Sequence, residues 1–206
     1  MESLVHVLAS GIGLSTNPKR MADTFCSNGT PMTQDTVKVY IGHLLDAFIV
    51  SEALRYDVKG RKYIGTETKY FFEDMGIRNV VLGFRQEEET HLMENAIYNE
   101  LVLRGYSIDV GLVEIWEQVD GKRMRKNLEV DFVVNRAPRR LYIQSAYALS
   151  TREKTMQAQR SLVKIPDHFR KVIVAGDNHG GWVNEEGIEI MGLFDFLLHP
   201  ELLDEA

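Results

Sequence analysis

Between residues 107 and 147 three runs rich in β-branched and aromatic side chains follow one another: "SIDVGLVEIWEQV", "NLEVDFVVN" and "RRLYIQSAY". Consecutive strands of this kind must form a sheet, because their backbone N–H and C=O groups need partners. "DGKRMRK" and "RAPR" read as the intervening turns. Just before them, "THLMENAIYNELVLRGY" has helical spacing. Leu92, Ala96, Ile97, Leu101 and Leu103 make its apolar stripe, and Gly105 is placed to end it. After the strands, "STREKTMQAQRSLVKI" is helical in composition, "RKVIVAG" reads as a short buried strand, and "GIEIMGLFDFLL" as a last strand and helix. The order is helix, three strands, helix, strand.

The first part of the chain has a different character. "SLVHVLAS" reads as a short amphipathic helix ended by Gly11 and Gly13. Thr16 or Asn17 can cap a second helix, "PKRMADTFCS", with Pro18 at its first position. Thr33 caps a third, "QDTVKVYIGHLLDAFIV", whose Val37, Tyr40, Ile41, Leu44, Leu45 and Phe48 recur at helical spacing. Two strand-like runs around Lys59–Gly60 then signal a hairpin. Helix, helix, turn, helix, hairpin is the order of a winged helix. The change of character falls at "GFRQEEET", which divides a winged-helix-like subdomain over 1–85 from a second domain over 86–206.

Several function classes find no support in the residues. "SGIGLSTNPK" lacks the spacing and the preceding strand of a phosphate loop, and "GDNHGG", without a lysine, reads as a surface turn. His6, His43, His91, His168, His179 and His199 show no metal-ligand spacing. The single cysteine, Cys26, excludes an internal disulfide and reads as a core residue of its helix. No apolar run approaches the roughly eighteen residues of a membrane span, and a signal-peptide pattern is absent, so a cytoplasmic location and no membrane partner are expected. The net charge of −6 is uneven. Residues 1–85 carry 10 Lys and Arg against 9 Asp and Glu, and the remainder 14 against 21. A nucleic-acid contact therefore fits the first segment better. In that reading Gln34 and Lys38 (with Asp35 beside them) face base edges from the helix after Thr33, while Lys59, Arg61 and Lys62 reach phosphates from the hairpin. Alternatively the same fold packs against a neighbouring domain.

The strand pair "EVDFVV" and "YIQSAY" carries the more specific chemistry. Magnesium-dependent phosphodiester cleavage needs hard oxygen ligands at adjacent strand ends and a lysine near the attacking water. The restriction-endonuclease-like pattern, PD-(D/E)XK, supplies an Asp, then an (Asp/Glu)-x-Lys on the next strand, with a further acid from the preceding helix. Asp131 fills the first place, and Glu94 or Glu100 could supply the helical acid. Gln144 stands where the second acid belongs, and Ala146 where the lysine belongs. Gln loses the negative charge and Ala cannot polarise anything, so the site reads as degenerate. Weak Mg²⁺ at Asp131 and Glu94, or an arginine such as Arg140 on Asp131, are the remaining options. Gln144 itself is expected to hydrogen-bond Asp131 or Glu94.

Taken together, "LSTNPKRMADTF", "TVKVYIGHLLDAFIVSEALRYDVKGRKY", "ETKYFFEDMGIRNVVLGFRQ", "HLMENAIYNELVLRGYSIDVG", "LEVDFVV", "YIQSAY" and "GLFDFLL" resemble the C-terminal domain of unknown function in bacterial and archaeal AAA-type ATP-binding proteins. The resemblance runs over nearly the whole chain. It implies an α/β (α+β) fold in which a winged-helix-like subdomain precedes a restriction-endonuclease-like αβββαβ domain. It also implies an N-terminal AAA-type ATPase module of the same parent protein as partner, with ATP bound only there and no cofactor for this chain. That module is absent from the sequence, so a fragment of a longer protein is expected. The function expected is a non-catalytic accessory module that recognises nucleic acid, DNA included, or a protein partner. A metal-dependent nuclease with an atypical site and a purely protein-interacting domain are the alternatives.

Overall fold

The computed structural model describes residues 1–85, 88–119, 121–177 and 180–204. His179, part of "GDNHGG" and part of "GFRQEEET" lie outside the described residues. The chain is mixed α/β with a large mixed sheet. It forms two compact units, one of Met1–Leu54 with Gly65–Asn95, the other of Arg55–Ile64 with Ala96–Ala206.

The first unit holds α1 (Glu2–Ser10), α2 (Pro18–Ser27) and α3 (Gln34–Asp46), most of β1 (Val50–Asp57) and β2 (Lys62–Phe72), α4 (Met75–Val81) and the start of α5 (Glu89–Leu103). Helices α2, α3 and α4 begin where a side-chain oxygen satisfies a free N–H. Asn17 accepts from the Arg20 amide at 2.9 Å, Thr33 from Thr36 at 3.2 Å and Asp74 from Ile77 at 3.0 Å. The apolar faces so oriented bring Leu4, Met21, Phe25, Val37 and Ile41 together with Tyr70 and Phe72 of β2 in one core. Two expectations fail here. Helix α3 stops at Asp46, short of the predicted Val50. Phe48 adopts a left-handed φ of 53° and is 79% exposed, because the chain must reverse into β1. Cys26 is exposed, since Met21, Ala22 and Phe25 already supply the buried face of α2.

The second unit adds β3 (Ser107–Val119), β4 (Lys122–Arg136), β5 (Arg139–Ala146), α6 (Arg152–Val163), β6 (Arg170–Ala175), β7 (Trp182–Val183), β8 (Glu189–Gly192), α7 (Leu193–Leu198) and α8 (Glu201–Asp204). Strand order is β2-β1-β3-β4-β5-β6-β8-β7, with β1 and β2 entering this unit through their hairpin tip. That tip belongs here because Arg55, Tyr56 and Asp57 pair in parallel with Val110, Gly111 and Leu112. The division between the units therefore falls at Asn95, beyond the expected residue 85, and assigns 55–64 to the second unit. Strands β3, β4 and β5 are antiparallel neighbours, while β5, β6 and β8 run parallel. The β5–α6–β6 crossover supplies the helix such a parallel pair requires. A bulge in β3 at Asp109–Gly111 lets the backbone approach its neighbours closely. A Cβ on Gly111 would stand 2.8 Å from the Val133 side chain and 2.9 Å from Val130, so only glycine fits.

"DGKRMRK" is mostly strand. Lys122–Lys126 pair with Ile115–Val119, and their charges find cross-strand partners: Arg125 on Glu114 at 2.6 Å and Lys126 on Glu117 at 3.6 Å. The short edge strand β7 has no period-2 run long enough to announce it. Leu103, expected in the stripe of α5, is 80% exposed. The buried apolar members of that helix are Met93, Ile97, Tyr98 and Leu101. Among the described residues no helix is long and apolar enough to cross a membrane.

Candidate functional site

Strands β4 and β5 pair Phe132 with Ile143, and one further step of that register sets Asp131 opposite Gln144. In an antiparallel pair, opposite side chains share a face, so the predicted juxtaposition follows from register alone. Asp131 is 8% exposed. Its Oδ2 accepts from the Gln144 side-chain amide at 2.6 Å and from the Ser145 backbone N–H at 2.8 Å. Helix α6, laid over β4 and β5 by the crossover, brings in buried Ser161, whose hydroxyl donates to Gln144 Oε1 at 3.2 Å. The Gln144 amide orientation follows from its neighbours: a carboxylate only accepts, so the NH₂ must face Asp131 and the carbonyl must face Ser161. Ala146 packs its methyl against the core of this unit. Arg140 does not take the role of partner to Asp131 considered above. Its Nε donates to Asn135 at 2.8 Å and its guanidinium lies over the Tyr56 and Phe169 rings.

This donor set does not fit a magnesium ion. A hard dication asks for several oxygen ligands with negative charge among them. Here the second strand offers a neutral amide whose oxygen already receives the Ser161 hydroxyl. Turning the amide over would set its carbonyl against the Asp131 carboxylate.

The helical acid, Glu94 of α5, is 7% exposed and carries a salt bridge of its own in the first unit, to Lys69 of β2 at 2.7 Å. Gly13 lies against it with φ +73°, and a Cβ there would come within 3.0 Å of Glu94 Oε2. Glu100, the other helical candidate, pairs with Arg104 one turn on at 2.8 Å. Next to Glu94, fully buried Asn95 uses its amide as a strand would use its backbone. It accepts from the Phe72 N–H and donates to the Phe72 carbonyl, both at 2.8 Å. Lys69, Asn95 and Ser161 escaped the sequence reading, because a polar residue at a buried position has no periodic signature. Arg78 is a fourth such case. It is 1% exposed, with Nε on the Ala9 carbonyl at 3.1 Å, and burial pushes its guanidinium below its ordinary value.

The residues expected at nucleic acid divide between the units. Gln34 and Lys38 are exposed on α3 in the first, with Lys38 3.5 Å from Asp35. Lys59, Arg61 and Lys62 belong to the hairpin tip in the second. There Asp57 Oδ1 accepts from the Lys59 and Gly60 amides at 3.1 and 2.9 Å, and the Lys59 ammonium donates to the Glu114 carbonyl at 2.7 Å. Arg61 follows with a left-handed φ of 51° and an exposed side chain, and Lys62 is exposed beside it.

Comparison with known proteins yields two likenesses. The chain is 31% identical over 198 residues to an uncharacterized protein of Haemophilus influenzae, covering 96% of this chain and 46% of that one. It thus spans about half the length of that relative. The crystal structure of protein VC1899 from Vibrio cholerae aligns over 98% of this chain and 55% of its own, at 14% identity and a TM-score of 0.32, too distant to inform the fold. No protein-family model matches.

Proposed function

We propose that the chain is a non-catalytic accessory module of an AAA-type ATPase, recognising nucleic acid on behalf of a motor in the same parent protein. In this reading the first unit is a winged-helix segment and the second a nuclease-like sheet that has lost its chemistry. The observation that carries it is the fate of Gln144. Its amide is spent at both ends, on Asp131 and on Ser161, so the position that would hold a second metal-binding acid instead ties β4 to β5 and α6. Ala146 adds a methyl where a lysine would be needed. A relative of which this chain spans 46% leaves room for a motor module.

The test is direct. Incubated with single- and double-stranded DNA and RNA in Mg²⁺ or Mn²⁺, the chain is expected to leave every substrate intact. Cleavage that disappears in Asp131→Ala would overturn the reading in favour of an atypical nuclease. Affinity for nucleic acid that weakens with salt and depends on Arg61 and Lys62 supports the recognition role. Its absence at low salt points instead to a protein partner.

A further inference from the structure

We propose that a cleft of about 380 Å³ beside the β4–β5 turn binds a nucleotide unit, phosphate against arginines and base against aromatic rings. The proposal names a ligand class for Arg61 within the recognition role above, and rests on that role only through this residue. The volume lies within the roughly 300–1,000 Å³ of small-molecule sites. Arg61, Arg139 and Arg140 line it together with Tyr56, Phe169 and Asn135, and among the described residues the lining includes no carboxylate. In a chain of net charge −6 that is a local reversal of sign.

Two nearby acids accept from hydroxyls, and Asp109 also acts electrostatically on Arg140. Asp167 Oδ2 accepts from the Tyr142 hydroxyl at 2.6 Å, and Asp109 accepts from the Tyr63 hydroxyl at 3.3 Å. Arg140 is held in a fixed orientation, its Nε on Asn135 and its guanidinium 5.3 and 5.6 Å from the Tyr56 and Phe169 ring centroids. Arg140 also hydrogen-bonds the Tyr56 and Tyr142 side chains, so its guanidinium is positioned at little further entropic cost as one wall of the cleft. Phe169 is 42% exposed, leaving ring surface on which a base can stack.

Arg61 adds an independent indication. It occupies a left-handed backbone conformation that glycine would adopt without strain, next to Gly60 in a turn clamped by Asp57. A charged, exposed side chain kept at such a position is the kind of outlier found at ligand sites.

The probes are a 5′-phosphorylated, fluorescently labelled single-stranded DNA octamer, adenosine monophosphate and inorganic phosphate. Binding of the octamer without competition by the mononucleotide assigns the site to a strand. Direct binding of the mononucleotide assigns it to a free nucleotide, and either result supports the shared chemistry. Arg61→Gly is expected to leave the unfolding temperature equal or higher while lowering affinity about tenfold. It should also make the salt dependence shallower by roughly 0.7 in log–log slope. Phe169→Ala should weaken the nucleotide probes about tenfold without changing competition by inorganic phosphate. The proposal is overturned if neither nucleotide probe binds, or if Arg61→Gly and Arg140→Lys leave affinity unchanged. Loss of binding in Gln34→Ala with Lys38→Ala alone would remove this cleft but keep nucleic-acid recognition. The metal-dependent cleavage assay reads the non-catalytic assignment separately.

Discussion

Glu94 and Asp131 are buried to nearly the same extent, 7% and 8% exposed, and an ammonium reaches the first while a side-chain amide reaches the second. In the first unit Glu94 receives a full positive charge, the Lys69 ammonium at 2.7 Å, itself 3% exposed. In the second unit Asp131 is held by an amide NH₂ and a backbone N–H, with Ser161 closing the chain of donors behind Gln144. A buried ion pair depends strongly on both members, because either one alone is an uncompensated charge. Losing one hydrogen bond from a neutral donor costs less. Each of these acids has a partner within its own unit.

That contrast can be broken from either side. Lys69→Met should have the largest effect, about 3–5 kcal/mol of lost stability in denaturant unfolding, since it breaks the buried Lys69–Glu94 pair. Lys69→Met combined with Glu94→Leu should recover most of the loss. Equal cost in the single and double variants would mean that packing, not charge, sets the penalty. Gln144→Glu makes the second site electrostatically worse by placing two carboxylates within hydrogen-bond distance. Like charges at that distance raise a carboxyl pKa, which costs about 1.4 kcal/mol for each unit of the rise at neutral pH. The expected result is a lower Tm in chelator and a larger rise on adding Mg²⁺ than the native chain gives. Gln144→Leu should cost less, about 1–3 kcal/mol, from the donor lost to Asp131 and the acceptor lost to Ser161.

The smallest effect concerns a third buried acid. Burial pushes the Asp109 carboxyl above its ordinary value, against the opposing influence of the Tyr63 hydroxyl and Arg140. Because the folded pKa is the higher one, full stability is present below the ordinary carboxylate range and is lost as pH rises through the folded value. Asp109→Asn keeps an acceptor for Tyr63 and removes that penalty. Its Tm should match the native chain in acid and exceed it slightly at neutral pH. A constant offset across the pH range would show that the carboxyl titrates alike in both states.

Much of the local framework could be read from residues alone. Asn17, Thr33 and Gly105 mark helix ends because their chemistry satisfies or releases the backbone there, and β3 matches its predicted run end for end. The opposition of Asp131 and Gln144 was legible too, since one register places both on one face. What misled the reading were periodic signals without their surroundings. Phe48 continues the spacing of α3 but comes after the chain has turned, and Leu103 continues that of α5 on the exposed side. "DGKRMRK" looks like a turn by composition, yet becomes strand because Glu114 and Glu117 face its cations.

The sequence by itself determined most of the elements, the pairing of the two central strands and the polar residues that face each other there, all consequences of spacing and side-chain chemistry. Only the tertiary structure decided what those residues touch. Lys69 lies 25 residues before Glu94, and Ser161 lies 17 after Gln144. Neither separation has a helical or strand period. Such partners meet because packing brings their elements together, and a buried polar group takes the nearest donor or acceptor that packing supplies.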